Sequence, residues 1–256
     1  MKFEVKQLSK PELNKPVLIE GLPGIGNVGK IAADFLADGI KAKKFIEIHS
    51  TSFPSSVFVN EKNLIDMPKI EMYYKKGKQD IIFLVGDVQP LNEEACYEFC
   101  ELILDIISKY KGKEIITLGG IGMGKIPKNP AVYCTANTQD IIKKYKVHNL
   151  NPEIFGVVGP IMGVTGLLVG LAGKKGIPAI TLLAQTFGHP NYLGIKGARE
   201  IIKILNTKFN FKLDLNKLDK EINNLDKEGG EVEKQSKLMK QTLPKINIDE
   251  ETSYIG

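Results

Sequence analysis

Residues 17–29 read VLIEGLPGIGNVG: an apolar segment of strand length, a glycine-rich turn and the start of a helical pattern. Three of its glycines, Gly24, Gly26 and Gly29, match the spacing G-x-G-x-x-G. That spacing is typical of a tight strand-to-helix connection in α/β proteins, where backbone amides can also approach a phosphate. The stretch therefore predicts an α/β fold and marks one candidate ligand site.

The same alternation of strand and helix continues to about residue 206. Near-continuous apolar runs, typical of strands buried on both faces, lie at Val17–Glu20, Phe45–Ile48, Ile81–Gly86, Ile115–Leu118, Ile154–Val158 and Ala179–Leu183. Helical patterns lie at Val28–Ala37, Asn92–Tyr110, Thr138–Lys144, Val164–Lys174 and Leu193–Asn206. Short β-like pieces at Ser56–Val59 and Lys69–Tyr74 break the alternation. We therefore expect a three-layer α/β core over residues 1–206, with a mixed, mostly parallel sheet.

The composition changes near residue 207. Of the 25 glycines, 22 precede this point, whereas 19 of the last 50 residues are charged. Apolar residues after it follow heptad spacing and form a seam, Phe211, Leu215, Leu218, Ile222 and Leu225. Gly229-Gly230 interrupts the pattern, and Pro244 ends a second, weaker seam. We expect a helical hairpin at 207–244, packed on the core or on another subunit, and a mobile tail at 245–256.

The overall composition excludes several classes of protein. Hydrophobic residues make up 43% and charged residues 25%, the balance of a soluble globular chain. There is no apolar run long enough to cross a membrane, and residues 1–5 show no secretory signal. The 35 basic residues include a single arginine, Arg199, which disfavours specific nucleic-acid reading. With three cysteines and no disulfide framework, we expect a cytoplasmic protein that binds neither nucleic acid nor membrane.

The glycine turn has two interpretations. Similar glycine elbows recur at residues 119–124 and 159–166, which favours a role in close packing of strands on helices. The alternative is a phosphate or nucleotide site at Gly24, Gly26, Asn27 and Gly29, in an enzyme or a small-molecule sensor. Both interpretations stay open at this point.

Other chemistry-bearing residues form no catalytic or metal pattern. Cys96 and Cys100 share a helical face without a further ligand pair, so we expect two small buried side chains. Glu93 and Glu94 are better explained as first-turn acids of a helix than as paired catalytic carboxylates. His189 follows a predicted strand and is the histidine to check first. We expect no catalytic residues, no metal and no cofactor.

Three segments together resemble the proteasome assembly chaperone family in its archaeal form. They are residues 15–29, 115–120 and 166–186, and the likeness covers about residues 15–206. The resemblance implies a fold similar to that of nucleoside phosphorylases, without their chemistry. It also implies a homo-oligomer that binds 20S proteasome α-subunits, either to assist assembly of the α-ring or to open its gate.

The resemblance further implies docking through a C-terminal hydrophobic–Tyr–any tripeptide, whose carboxylate meets a lysine on the proteasome. The sequence here ends in Tyr254-Ile255-Gly256. Tyrosine therefore stands where the hydrophobic residue is expected, and Ile255 stands where tyrosine is expected. We predict that these three residues dock on the α-ring. The alternatives are an accidental aromatic near the chain end and an oligomeric scaffold for a different protein partner.

Overall fold

The computed structural model describes residues 2–145, 150–156, 158–216, 218–220 and 222. The chain divides into two units, Met1–Leu213 and Asp214–Gly256. The first unit contains all of the strands and helices whose bounds follow. In the second unit, residues 216, 218–220 and 222 are helical.

An eight-stranded mixed sheet forms the centre of the first unit, in the order β1-β3-β6-β7-β2-β8-β10-β9. A separate two-stranded sheet pairs β4 with β5. The strands are β1 Phe3–Gln7, β2 Val17–Gly21, β3 Lys43–Ser50, β4 Phe58–Val59, β5 Ile65–Asp66, β6 Ile70–Lys75, β7 Ile81–Gly86, β8 Glu114–Met123, β9 Val132–Ala136 and β10 Ala179–Phe187.

The centre of the large sheet is parallel and its two ends are antiparallel. Strand β2 pairs in parallel with β7 and β8, and β8 pairs in parallel with β10. Strands β1, β3 and β6 add antiparallel pairings beyond β7, and β9 pairs antiparallel with β10. The parallel strands are mostly apolar because helices cover both of their faces. The predicted mixed α/β sheet is thus confirmed.

Within the described residues of the first unit, five α-helices flank the sheet. They are α1 Val28–Gly39, α2 Glu93–Lys109, α3 Gln139–Tyr145, α4 Gly163–Lys174 and α5 Ile195–Phe209. Helix α2 begins as its sequence predicts: the Asn92 side chain accepts from the Ala95 N–H at 2.8 Å, and Glu93 and Glu94 occupy the first turn. Helices α1 and α5 pack together, as do α2 and α4.

Strand β2 shows how the two layers of helices are separated. Leu18 belongs to the apolar cluster that also contains α2 and α4 side chains, and Glu20 hydrogen-bonds to Thr165 of α4. Gly21, by contrast, lies against Gly29 and Ala33 of α1. Successive residues of a strand point to opposite faces, so α2 and α4 cover one face and α1 covers the other. The predicted three-layer core is present.

The sequence-based strand prediction at Ile154–Val158 is wrong. Gly156 has φ +78°, so the chain turns there, and the segment makes only an isolated bridge between Phe155 and Val158. Strands β1 and β9 were not predicted from the sequence. Each lies at an edge of the sheet. A single side chain of β1, that of Phe3, is buried, which leaves little apolar pattern to read.

Several predictions about the C-terminal region fall partly outside the described residues. Helix α5 ends at Phe209, three residues beyond the predicted boundary at 206. Of the predicted seam, Phe211 and Leu215 lie in non-helical backbone, Leu218 and Ile222 are helical, and Leu225 lies outside the described residues. The domain boundaries, the helical hairpin and the tail therefore stay predictions, as does the likeness to nucleoside phosphorylases. No helix within the described ranges is both long and apolar enough to span a bilayer.

Candidate functional site

Ligand sites of open α/β sheets lie beyond the carboxyl ends of the parallel strands. Here β2, β7, β8 and β10 end at Gly21, Gly86, Met123 and Phe187, at one edge of the sheet that we call the carboxyl edge. The glycine turn, the loop containing Gln89, the N-terminus of α4 and the loop after β10 meet there. The candidate site is built from these four segments.

The glycine turn between β2 and α1 contains two residues with left-handed backbone. Gly26 has φ +61° and Asn27 has φ +51° within a single 3₁₀ turn, Ile25–Asn27, that leads into α1. The Gly26 carbonyl accepts from the Gly194 N–H at 2.7 Å. A Cβ at Gly26 would lie 2.7 Å from the Thr186 hydroxyl oxygen. Glycine is therefore required at position 26 both by the backbone angle and by the close approach of β10.

Gly29 and Gly24 lie in contrasting environments. A Cβ on Gly29 would overlap the carbonyl oxygen of Leu118 in β8, because α1 lies directly on the sheet at this point. A Cβ on Gly24 would meet nothing within 4 Å. The contacts of Gly26 and Gly29 give these two residues a packing role. The phosphate or nucleotide site at Gly24, Gly26, Asn27 and Gly29 stays a prediction that ligand titration must test.

Gln89, in the loop after β7, hydrogen-bonds to both the glycine turn and the N-terminus of α4. Its amide N–H donates to the Pro23 carbonyl of the glycine turn, and its carbonyl accepts from the Val164 N–H of α4 at 3.0 Å. The Val164 amide belongs to the first turn of α4, whose N–H groups have no partner within the helix. Gln89 therefore both caps α4 and positions the glycine turn.

Replacing Gln89 with alanine is expected to lower the free energy of unfolding by about 1–3 kcal/mol, because two half-buried backbone groups lose their partner. Equilibrium urea denaturation measures the change. Gln79→Ala is the matched control, since the Gln79 side chain hydrogen-bonds to Lys15 and Lys113 at the surface, and its part-buried partner, the Asp80 carbonyl, keeps the Val17 N–H as a donor. This control is expected to cost less than about 0.5 kcal/mol. Equal losses in the two variants would contradict the bridging role of Gln89.

A buried polar cluster lies beneath the carboxyl edge, on the α4 side of the sheet. Glu20 of β2 is fully buried and its Oε1 accepts from the Leu22 N–H at 3.0 Å. The Thr165 hydroxyl donates to the other oxygen of Glu20 at 3.4 Å. The Thr117 hydroxyl donates to the Thr165 carbonyl at 2.9 Å and lies 2.7 Å from the Thr181 hydroxyl.

Burial dominates the acid–base behaviour of this cluster. It raises the pKa of Glu20 to about 8, against the opposing effect of hydrogen bonds from Leu22, Thr165 and Leu118. Glu20 is thus mostly protonated at neutral pH. Sequence reasoning placed Glu20 at the end of a strand but assigned it no role. The signal was a carboxyl group within a run that is otherwise apolar.

An open cleft of about 490 Å³ lies beside α4, between that helix and strands β9 and β10. Among the described residues, its polar lining members are Thr135, Asn137 and Thr181. The Asn137 side-chain amide makes structural hydrogen bonds: it donates to the Val169 and Ile177 carbonyls and accepts from the Ala179 N–H. The described lining of the cleft is thus uncharged.

The cysteines and histidines considered for chemistry lie in separate places on the fold. Cys96 and Cys100 are buried in α2, as predicted; the hydrogen bond that the Cys100 thiol donates to Cys96 raises the pKa of Cys100, and burial raises it further. His189 is exposed and stacks on Phe187, with ring centroids 5.7 Å apart. His49 hydrogen-bonds to Glu47 at 2.8 Å. Within the described ranges, His, Cys, Asp and Glu side chains form no group of three that could hold a metal ion.

The family profile of the PAC2 family matches residues 18–232, which include the whole carboxyl edge. The chain belongs to the PAC2 family. The predicted likeness to archaeal proteasome assembly chaperones is thereby confirmed at the level of the family. The predicted docking residues, Tyr254, Ile255 and Gly256, lie outside the residues that the structure describes.

Two solved PAC2-fold structures are similar to this chain over nearly its full length. Pyrococcus furiosus PbaB, an archaeal proteasome activator, has a TM-score of 0.83 and 29% identity, covering 91% of this chain and 100% of that chain. Pyrococcus furiosus PbaA, an archaeal homolog of proteasome-assembly chaperone, has a TM-score of 0.74 and 24% identity, covering 93% and 94%. The protein MJ1210 of Methanocaldococcus jannaschii is 30% identical over 100% of both chains.

Proposed function

We propose that this protein is a non-enzymatic, cytoplasmic and homo-oligomeric chaperone or activator that binds the α-ring of the 20S proteasome. The observation that carries the proposal is the similarity to PbaB, an archaeal proteasome activator, at 29% identity over all of that chain.

The docking element in this proposal is the tripeptide Tyr254-Ile255-Gly256. Its binding energy would come from burial of the Tyr254 and Ile255 side chains and from pairing of the terminal carboxylate with a lysine of the α-ring. A single flexible tail loses conformational freedom on binding and binds weakly. Several tails on one oligomer raise the effective concentration of the next tail, so that self-association is part of the mechanism.

The experiment is a peptidase assay of a purified archaeal 20S proteasome with the full-length protein and with a chain truncated after Thr252. We expect the full-length protein to bind and to stimulate hydrolysis of a short fluorogenic peptide. Truncation is expected to weaken binding at least 10-fold, because it removes both apolar side chains and moves the carboxylate. Ser253→Ala, which leaves the last three residues in place, is the matched control and is expected to behave as the full-length chain.

The outcomes separate the parts of the proposal. Binding that truncation abolishes, without stimulation of hydrolysis, supports a chaperone that docks by its tail. Binding that survives truncation overturns the docking role of Tyr254, Ile255 and Gly256. Absence of both binding and stimulation with the full-length chain overturns the proposed function, and leaves the glycine turn and other protein partners as the candidates to test.

A further inference from the structure

An exposed apolar hairpin projects from the carboxyl edge of the sheet. It comprises residues 57–67 and contains β4 and β5, and we call it the apolar hairpin. Its six large apolar side chains face solvent, with exposed fractions from 41% at Phe58 to 70% at Val59. They are Val57, Phe58, Val59, Leu64, Ile65 and Met67. Since Val59 pairs with Ile65 and side chains alternate along a strand, Val57, Val59, Ile65 and Met67 share one face, and Phe58 and Leu64 lie on the other. An exposed apolar face of four side chains marks a site of association.

Local hydrogen bonds fix the tip of the apolar hairpin. The Asn60 side-chain carbonyl accepts from the N–H groups of Lys62 at 3.0 Å and Leu64 at 3.1 Å. The Asn60 amide donates to Asp66 at 3.1 Å. These hydrogen bonds fix the backbone conformation at the tip of the apolar hairpin. The exposed apolar side chains are therefore held by an ordered backbone.

The base of the apolar hairpin is anchored to the sheet. The Leu91 N–H, in the loop after β7, donates to the Ser52 carbonyl at 3.1 Å. Phe53 is buried and its ring centroid lies 6.1 Å from that of Phe3. β3 runs in the same direction as β7, so the hairpin that follows it leaves the sheet at the carboxyl edge. A two-stranded sheet is too small to bury either of its own faces.

We propose that the apolar hairpin pairs with the same hairpin of a second copy of this chain. The proposal rests on the self-association in the proposed function and gives it a surface, but it requires no proteasome contact. In a two-fold interface the same patch is used by both copies. The cross-strand pair Val59 and Ile65 lies at the centre of this patch and would pack against its symmetry mate.

The available area is sufficient for a stable dimer. The four side chains on the face of Val59 and Ile65 are about half or more exposed and offer roughly 350 Å² of apolar surface per copy. Two copies therefore bury roughly 700 Å² of apolar surface, and since interfaces are only about 57% apolar, the total is about 1,200 Å². That is at the lower end of the roughly 1,200–2,000 Å² of a specific interface.

The charges at the tip also suit self-pairing. Glu61 and Lys62 are adjacent and opposite in sign. A two-fold contact can place Glu61 of each copy beside Lys62 of the other, so that the tips do not repel one another. The hairpin also contains Asp66, which accepts from the Asn60 amide, so a strongly acidic or strongly basic partner would meet charges of both signs. Charge as well as area thus favours a second copy as the occupant.

The first test is sedimentation equilibrium of the full chain and of the double variant Val59→Glu/Ile65→Glu. Four buried glutamates per dimer repel one another and cannot be solvated, so we expect the dissociation constant of the dimer to rise at least 100-fold. Leu8→Glu/Tyr97→Glu is the matched control, because both side chains are exposed and lie elsewhere on the fold. It is expected to change the constant less than 3-fold. Both variants are expected to keep the Tm of the parent chain.

The second test is cross-linking of a single introduced thiol. The three native cysteines are buried, so Val59→Cys places a new exposed thiol in the apolar hairpin. A short bismaleimide is expected to yield covalent dimer with Val59→Cys and little with Leu8→Cys. A monomeric parent chain, a double variant that associates as the parent does, or equal cross-linking at positions 59 and 8 overturns the proposal. Because neither test contains a proteasome, a failure of α-ring binding leaves both readouts unchanged.

Discussion

Replacing Gly29 with alanine is expected to lower the free energy of unfolding by about 2–4 kcal/mol, whereas Gly24→Ala is expected to change it by less than about 0.5 kcal/mol. Both residues belong to the same G-x-G-x-x-G pattern. A Cβ on Gly29 would overlap the backbone carbonyl of Leu118, in a central strand that cannot move aside. A Cβ on Gly24 would meet nothing, and Gly24 has φ −166°, which alanine adopts without strain.

Intrinsic helix propensity alone predicts the opposite result, a gain in stability for Gly29→Ala. Alanine is favoured over glycine inside a helix by about 1 kcal/mol, so a net loss at Gly29 must come from the overlap. For a domain of this size, the expected loss corresponds to a fall in Tm of roughly 5–15 °C. Thermal and urea denaturation of both variants measure the effect. A Gly29→Ala variant as stable as the parent would show that α1 can shift on the sheet.

The Gly24→Ala variant also tests the nucleotide alternative. If the turn binds a phosphate group, the exposed Gly24 lies where the ligand must approach. A titration with ATP and with inorganic phosphate would then show saturable binding that Gly24→Ala weakens. In the packing interpretation, neither ligand binds the parent chain, and Gly24→Ala changes neither the stability nor the titration.

The sequence allowed the architecture to be predicted better than the site. The apolar runs at β2, β7, β8 and β10 are buried on both faces, so their composition alone identifies them. Edge strands have one solvated face and an irregular pattern, and for that reason β1 and β9 were missed. The segment 154–158 is apolar but contains Gly156, whose left-handed backbone ends any strand.

The environments of individual glycines and apolar side chains could not be predicted, because they depend on distances between segments far apart in the chain. The G-x-G-x-x-G pattern located the strand-to-helix turn correctly. It could not distinguish Gly29, pressed against Leu118, from Gly24, which faces open space. The sequence predicts a β-like piece at residues 56–59 but does not predict the exposure of Phe58 and Val59. Exposed apolar residues of this kind can be identified only once the core is known.

The stability of this protein is expected to fall as pH rises from about 5 to 8, and Glu20→Gln is expected to remove most of that fall. Burial raises the pKa of Glu20 to about 8, from 4.5 for an exposed glutamate. Between these values the folded chain keeps a proton that the unfolded chain has released. Raising the pH therefore favours the unfolded state, by about 1.4 kcal/mol per pH unit.

Over the whole interval the Glu20 contribution amounts to roughly 3–5 kcal/mol. Glutamine resembles the protonated carboxyl group in shape: its carbonyl can accept from the Leu22 N–H and its amide can donate toward the Thr165 hydroxyl. We therefore expect Glu20→Gln to match the parent chain within about 1 kcal/mol at pH 5. At pH 8 it is expected to be more stable than the parent, since it carries no group to ionise.

Urea denaturation at pH 5, 6, 7 and 8 measures both curves. Glu94→Gln serves as the control because Glu94 is an exposed carboxylate paired with Lys2 at the surface. Its curve is expected to run parallel to that of the parent chain, close to it at every pH. Parallel curves for Glu20→Gln and the parent would mean that Glu20 ionises in the folded state near its ordinary pKa. That result would require water or a cation beside the carboxylate, in a part of the core that the structure shows filled by Leu22, Thr165 and Thr117.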